Sequence, residues 1–234
     1  MLKSLSVGAL ALLLAACGGL KPRHAAPPSP EESIARPGLP PGRIYRVDEK
    51  QSELRVLVYR AGPLAHFGHN HVIVNHAIHG TVSLADAAGE SAFRLNVPVA
   101  GFVVDDTEAR REEGADFDGD IPDDAKSGTL HNMLSAALLD ADKFPMITVN
   151  SVAVAAAQDR SGASTATVAI SVAGHESTID VPFTLHLDSR RVSATGSLEL
   201  RQSVLGLTPY SLMLGALQVQ DAITIKFDIV ALPE

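Results

Sequence analysis

Five of the nine histidines fall within fourteen residues: His66, His69, His71, His76 and His79. Neutral imidazole is the commonest protein metal ligand, and on a strand His69 and His71 share one face. With His66 on the preceding turn, the H-x-x-H-x-H spacing could present three nitrogens to Zn²⁺ or Cu²⁺. The same three side chains could instead meet the polar end of a larger ligand, where imidazole and backbone N–H groups bind a phosphate or a quinone carbonyl. A third reading is structural, with the rings hydrogen-bonded to neighbouring carbonyls on a polar loop or strand face. His76 and His79 have opposite parity, so a regular strand cannot place all five on one side.

Other chemistry is sparse. The chain has no G-x-S-x-G elbow, no G-x-G-x-x-G and no P-loop. A metal-dependent hydrolase built on the histidines would need a carboxylate base, for which Asp105, Asp106 and Glu108 are the candidates. The sequence therefore reads as a non-enzymatic protein, with that hydrolase as the alternative. Asp116-x-Asp118-x-Asp120 hints at a calcium loop, but Ile121 stands where glycine is needed and Ser127 where the bidentate Glu is needed. The acidic segment 112–124 reads as a solvated loop. A net charge of −8 and a pI near 5.5 argue against nucleic acid. The single cysteine, Cys17, excludes an internal disulfide framework and a Cys-based zinc site.

That cysteine has a better explanation. Lys3 precedes an apolar stretch over 5–14, too short to span a bilayer, followed by Leu14-Ala15-Ala16-Cys17. This resembles the bacterial lipobox, which implies a signal peptide at 1–16 and lipid on Cys17; an ordinary cleaved signal with Cys17 near the cut is the alternative. Gly18, where an Asp would resemble an inner-membrane retention signal, implies the outer membrane. The expected location is periplasmic, anchored to the membrane through the N-terminal lipid. Half of the fourteen prolines crowd into 18–43, so 17–43 reads as a lipidated, semi-rigid tether. Residues 44–234 remain as one folded unit.

The elements of that unit follow a period of two. Ile179, Val181, Phe183, Leu185 and Leu187 alternate with mainly polar neighbours, and Ile223, Ile225, Phe227 and Ile229 repeat the pattern. Leu54/Val56/Val58, Phe93/Leu95/Val97, Ile147/Val149 and Val168/Ile170/Val172 do the same. Alternation means strands with one dry face, the mark of antiparallel sheet, and Ala173-Gly174-His175-Glu176 reads as a hairpin turn. A different spacing joins Leu130, Leu134, Ala137 and Leu138. It predicts one amphipathic helix of about three turns, opened by Ser127 or Thr129 and ended before Pro145. A single helix cannot cover so much sheet, whereas closing the sheet on itself hides both edges and apolar faces. The predicted fold is all-β, an antiparallel lipocalin-like β-barrel of about eight strands with one short amphipathic helix at the rim. Its inward candidates are mostly Val, Ala and Ile, which implies an apolar lumen its own side chains do not fill.

Four segments also resemble one family in the right order. These are the opening Tyr45-Arg46-Val47-Asp48 with Gly80 before a later strand, 143–151 (KFPMITVNS), 172–181 (VAGHESTIDV) and 201–206 (RQSVLG). Together they resemble the YceI-like family of periplasmic proteins, whose extended lipocalin-type barrel holds a polyisoprenoid chain. Here Gln202 is inserted between Arg201 and Ser203, and Leu205 stands where an aromatic is usual. The resemblance implies a long apolar isoprenoid or quinone ligand. Contacts are assigned to His66, Phe67, His69, His71, Leu134, Leu138, Phe183 and Phe227, with the helix acting as a lid and a homodimer left open. Two alternatives stand: a metal-binding module on His66, His69 and His71, and a structural envelope protein with a filled barrel.

Overall fold

The computed structural model describes residues 38–156 and 163–234. The predicted signal peptide, lipidated Cys17 and most of the tether lie outside the described residues. In chain order the strands are β1 (Arg43–Val47), β2 (Glu53–Ala61), β3 (His71–Asn75), β4 (His79–Leu84), β5 (Ala92–Pro98) and β6 (Phe102–Val104). Two helices follow, α1 (Thr107–Glu112) and α2 (Asp123–Leu134). The remaining strands are β7 (Met146–Ala155), β8 (Ala163–Val172), β9 (His175–Leu187), β10 (Val192–Arg201), β11 (Ser211–Leu212) and β12 (Leu217–Pro233). Every segment with alternating apolar residues lies in one of them.

Eight strands form a closed antiparallel ring in the order β1-β4-β5-β7-β8-β9-β10-β12, sealed where Tyr45, Arg46 and Val47 pair with Pro233, Leu232 and Ala231. Closure leaves these strands without the bare edges that invite aggregation. β12 does more than close the ring. One of its edges pairs with β10, while the other is shared between β1 and β2, which runs alongside Gln218–Asp228. β2, β3 and β6 extend from it as a spur beside the ring. The β8–β9 hairpin turns on Ala173 and Gly174, both at positive φ, 48° and 79°. This is the backbone that a two-residue turn between twisted strands requires.

Register decides which faces are dry. Val56 packs inward with Ile73, Ile78 and Val97, while Leu57 points outward into a second cluster with Val72, Val74, Ala109 and Phe117. α1 and the turn at 115–117 cover that outer cluster. Val104 is buried and Val103 is half exposed.

The helices differ from expectation. Among the described residues there are two α-helices, and α2 lies earlier in the chain than the predicted one. Asp123 and Asp124 occupy its first turn, where carboxylates favour the positive end of the helix dipole. Ser135 ends it, with extended backbone and its hydroxyl donating to the Asn132 carbonyl. Leu138 and Leu139 therefore sit on a turn, tied back by Leu139 N–H to the Met133 carbonyl. The acidic segment is not wholly solvated either. Glu113 is buried, bonded to Arg55 at 2.9 Å and to Lys226, and Arg55 also holds Glu53 and Glu112.

Candidate ligand-binding site

Inward faces of β5, β7, β8, β9, β10 and β12 of the ring, together with β2, β3 and β6 of the spur, line a cavity of about 520 Å³, within the range of small-molecule sites. Its wall is built from the alternating positions: Leu54, Val56 and Val58 of β2, Val168, Ile170 and Val172 of β8, and Ile223, Ile225, Phe227 and Ile229 of β12. Phe93, Phe183 and Phe227 stand in the wall. No Asp, Glu or Lys lines the cavity among the described residues. Its polar positions are Arg60, His69, His71, Thr129, Asn132, Gln202, Tyr210 and Gln218, each able to donate a hydrogen bond.

One polar group is held by a buried charge network. β6 ends at Val104 and the chain turns at Asp105, whose φ of 56° lies in the left-handed region that Asp tolerates better than most residues. This turn places a fully buried carboxylate beneath His71. Asp105 Oδ2 lies 2.6 Å from His71 Nδ1, while Oδ1 accepts from the Val72 N–H at 3.0 Å and from Arg110 Nη1 at 2.6 Å. Burial alone would raise the carboxyl's pKa, but the hydrogen bond and charge of His71, the Val72 amide and Arg110 together hold it below the usual range. Asp106, next in sequence, caps α1 by accepting from the amides of Glu108 and Ala109. With Nδ1 committed to Asp105, Nε2 is the nitrogen His71 offers to a ligand.

The predicted site residues separate into two groups. His69, His71, Leu138, Phe183 and Phe227 line the cavity. His66, Phe67 and Leu134 do not: His66 and Phe67 are exposed, their rings in tilted contact with centroids 3.9 Å apart, and Leu134 packs into the core beside the lumen. The 3-10 turn over 65–67 carries His66 out of line with the other two rings, which lie 6.2 Å apart. Among the described residues no three His, Cys, Asp or Glu side chains are grouped to hold a metal ion. His76, just past the end of β3, bonds the Ser52 carbonyl, and His79, at the start of β4, pairs with Glu49, so the two leave the cluster because the chain changes strand. Asp105 is the candidate carboxylate that does reach the histidines. Arg110 and Gln202 are the residues the sequence did not reveal. Gln202 is buried in the wall and donates to the Gln220 carbonyl, so the inserted residue in the RQSVLG segment is part of the lumen.

The sequence matches the YceI-like domain over residues 45–231, nearly the whole ring and spur. The chain belongs to the YceI-like family. Among curated proteins there is no match to it. Two solved structures share the fold of this YceI-like domain. Burkholderia cenocepacia BcnA is 18% identical, with a TM-score of 0.59 over 79% of this chain and 98% of that one. A polyisoprenoid binding domain from Saccharophagus degradans, implicated in plant cell wall breakdown, is 13% identical, with a TM-score of 0.54 over 81% of this chain and 98% of that one. In this member of the family the apolar wall and the donor-bearing positions supply what a binding site for an apolar molecule needs.

Proposed function

We propose that the protein is a lipid-anchored periplasmic binding protein that holds a long apolar isoprenoid or quinone molecule inside the barrel. The observation that carries this reading is the cavity: a wall drawn from ten strands, free of acids and lysines, with each of its few polar groups able to donate a hydrogen bond. Hydrocarbon moved from water into such a space gains about 25 cal/mol per Å² buried, before the cost of immobilising the chain. A head that accepts hydrogen bonds, such as a quinone carbonyl or a phosphate, can take them from Arg60, Asn132, Tyr210 or His69, while His71, whose Nδ1–H donates to Asp105, presents Nε2 as an acceptor in its neutral form. The Saccharophagus degradans domain, described as polyisoprenoid binding, lends support through its shared fold. Anchoring rests on the Lys3, 5–14 and Leu14-Ala15-Ala16-Cys17 pattern. No residue of this site requires the protein to turn over its ligand, and we read it as a carrier or sensor.

The test is native mass spectrometry, with organic extraction, of protein purified from membranes. A co-purifying isoprenoid or quinone is expected. A clean ligand-free mass from several preparations would overturn the reading in favour of a structural envelope protein.

A further inference from the structure

Apolar side chains in water are ordinarily scattered, but here four gather on two neighbouring segments. Phe67 is 71% exposed, Leu212 44%, Met213 74% and Leu214 fully exposed. Met213, Leu214 and Gly215 stand consecutively at positive φ, 49°, 57° and 92°, a backbone that L side chains other than Asn and Asp rarely adopt. The chain accepts this conformation and in doing so holds two large apolar side chains out in solvent. Nothing in the fold gains from that.

The two segments form one rim. The Leu64 N–H donates to the Ala216 carbonyl at 2.8 Å, and a Cβ on Gly62 would lie 2.5 Å from the same oxygen, so the loops touch closely. Gly68 and His69 on one segment, and Leu212, Leu217 and Gln218 on the other, line the cavity. The exposed apolar cluster is thus continuous with the cavity wall. Charge points the same way. In a chain of net charge −8, neither 62–69 nor 209–218 contains an acidic residue, while the first holds His66 and His69 and Arg60 lies beside it, bonded to the Gly68 carbonyl at 2.6 Å.

We infer that this rim docks on the surface of a lipid bilayer, with Phe67, Met213 and Leu214 entering the headgroup boundary, so that an apolar cargo passes between membrane and cavity without crossing water. Insertion moves exposed apolar area out of water, and an acid-free rim does not oppose anionic phospholipid. The inference rests on the carrier reading for its purpose, but its test is separate.

The protein has no Trp, so one introduced indole is a unique reporter. The full chain carrying Leu214→Trp is combined with phosphatidylethanolamine–phosphatidylglycerol vesicles whose acyl chains bear bromine. Leu187→Trp serves as the control. Leu187 is 56% exposed and lies across β10 from Ala231, at the far end of β12 from the rim. The expected result is a blue shift and loss of emission for Leu214→Trp, with Leu187→Trp unchanged. Equal behaviour of the two variants overturns docking, and cargo still detected by mass then leaves the carrier reading standing. Quenching at 214 without any cargo supports docking and counts against the carrier. A blue shift that appears without vesicles and grows with protein concentration makes a second copy of the chain the occupant and overturns the bilayer.

Discussion

His71 Nδ1 lies 2.6 Å from Asp105 Oδ2, joining a ring on the cavity wall to a carboxylate that solvent does not reach. Arg110, itself buried, holds the other oxygen of the same carboxylate. The cluster ties the start of β3 to the turn after β6 and to α1. A single change at its centre therefore bears on both the fold and the ligand.

Asp105→Asn keeps the shape and removes the charge, which leaves Arg110 buried without its counter-ion. Losing one partner of a buried pair costs about 3–5 kcal/mol. We expect a fall in unfolding free energy of that order in chemical denaturation, together with weaker retention of cargo because His71 is no longer held. A variant as stable as the parent would show that the pair contributes little.

Acid should act through two carboxyls. Burial opposes ionisation of Asp105 and of Glu113, yet His71 and Arg110 in one case, and Lys226 and Arg55 in the other, outweigh it and lower both below their ordinary values of 3.8 and 4.5. A carboxyl whose folded pKa is lowered stabilises the protein above its unfolded pKa and loses that contribution as pH falls towards the folded value. The melting temperature should therefore hold until the pH nears 4.5 and decline below it. Glu113→Gln should make the decline shallower; an identical profile would remove Glu113 from the account.

Ala194 lines the lumen. Ala194→Phe should fill part of the cavity, with the loss of co-purifying ligand and little change in melting temperature, as judged by native mass and circular dichroism. In an already close-packed interior the same change would cost about 1–3 kcal/mol instead. Full ligand occupancy in the variant would show that cargo lies elsewhere.

Leu134 and Leu138 separate a lid from a core. Leu138 faces the cavity while Leu134 packs beside it. Leu138→Arg should block ligand uptake and leave the barrel folded. Leu134→Arg should lower stability by about 2 kcal/mol or more, because it forces a charge against buried apolar side chains. Matching phenotypes for the two would contradict this assignment.

The barrel was legible because its evidence is local. Ile223, Ile225, Phe227 and Ile229 alternate along the chain, and the lumen face follows directly from that alternation. Phe183 and Phe227 could be placed on the wall for the same reason. The spur was not legible, since β6 has only three residues and its pairing with β3 is a tertiary choice. The helix was misplaced because Leu138 reaches the core through a turn that imitates helical spacing. Among the histidines, spacing alone grouped His66 with His69 and His71, but a short 3-10 turn redirects it. Asp105 stood in the sequence only as one of three candidate carboxylates, and Arg110 not at all, for a different reason. They sit 34 and 39 positions beyond His71, and only the fold brings the three together.

An apolar lumen without an opposing layer has a thermodynamic consequence. In most domains the interior is completed by the chain's own side chains; here the guest would supply the missing packing and so behave as part of the hydrophobic core. Loading should then raise the melting point by an amount set by ligand concentration over affinity. Handing the guest to an acceptor would cost the donor rigidity at the moment of transfer. A protein of this design would report its own occupancy through its stiffness.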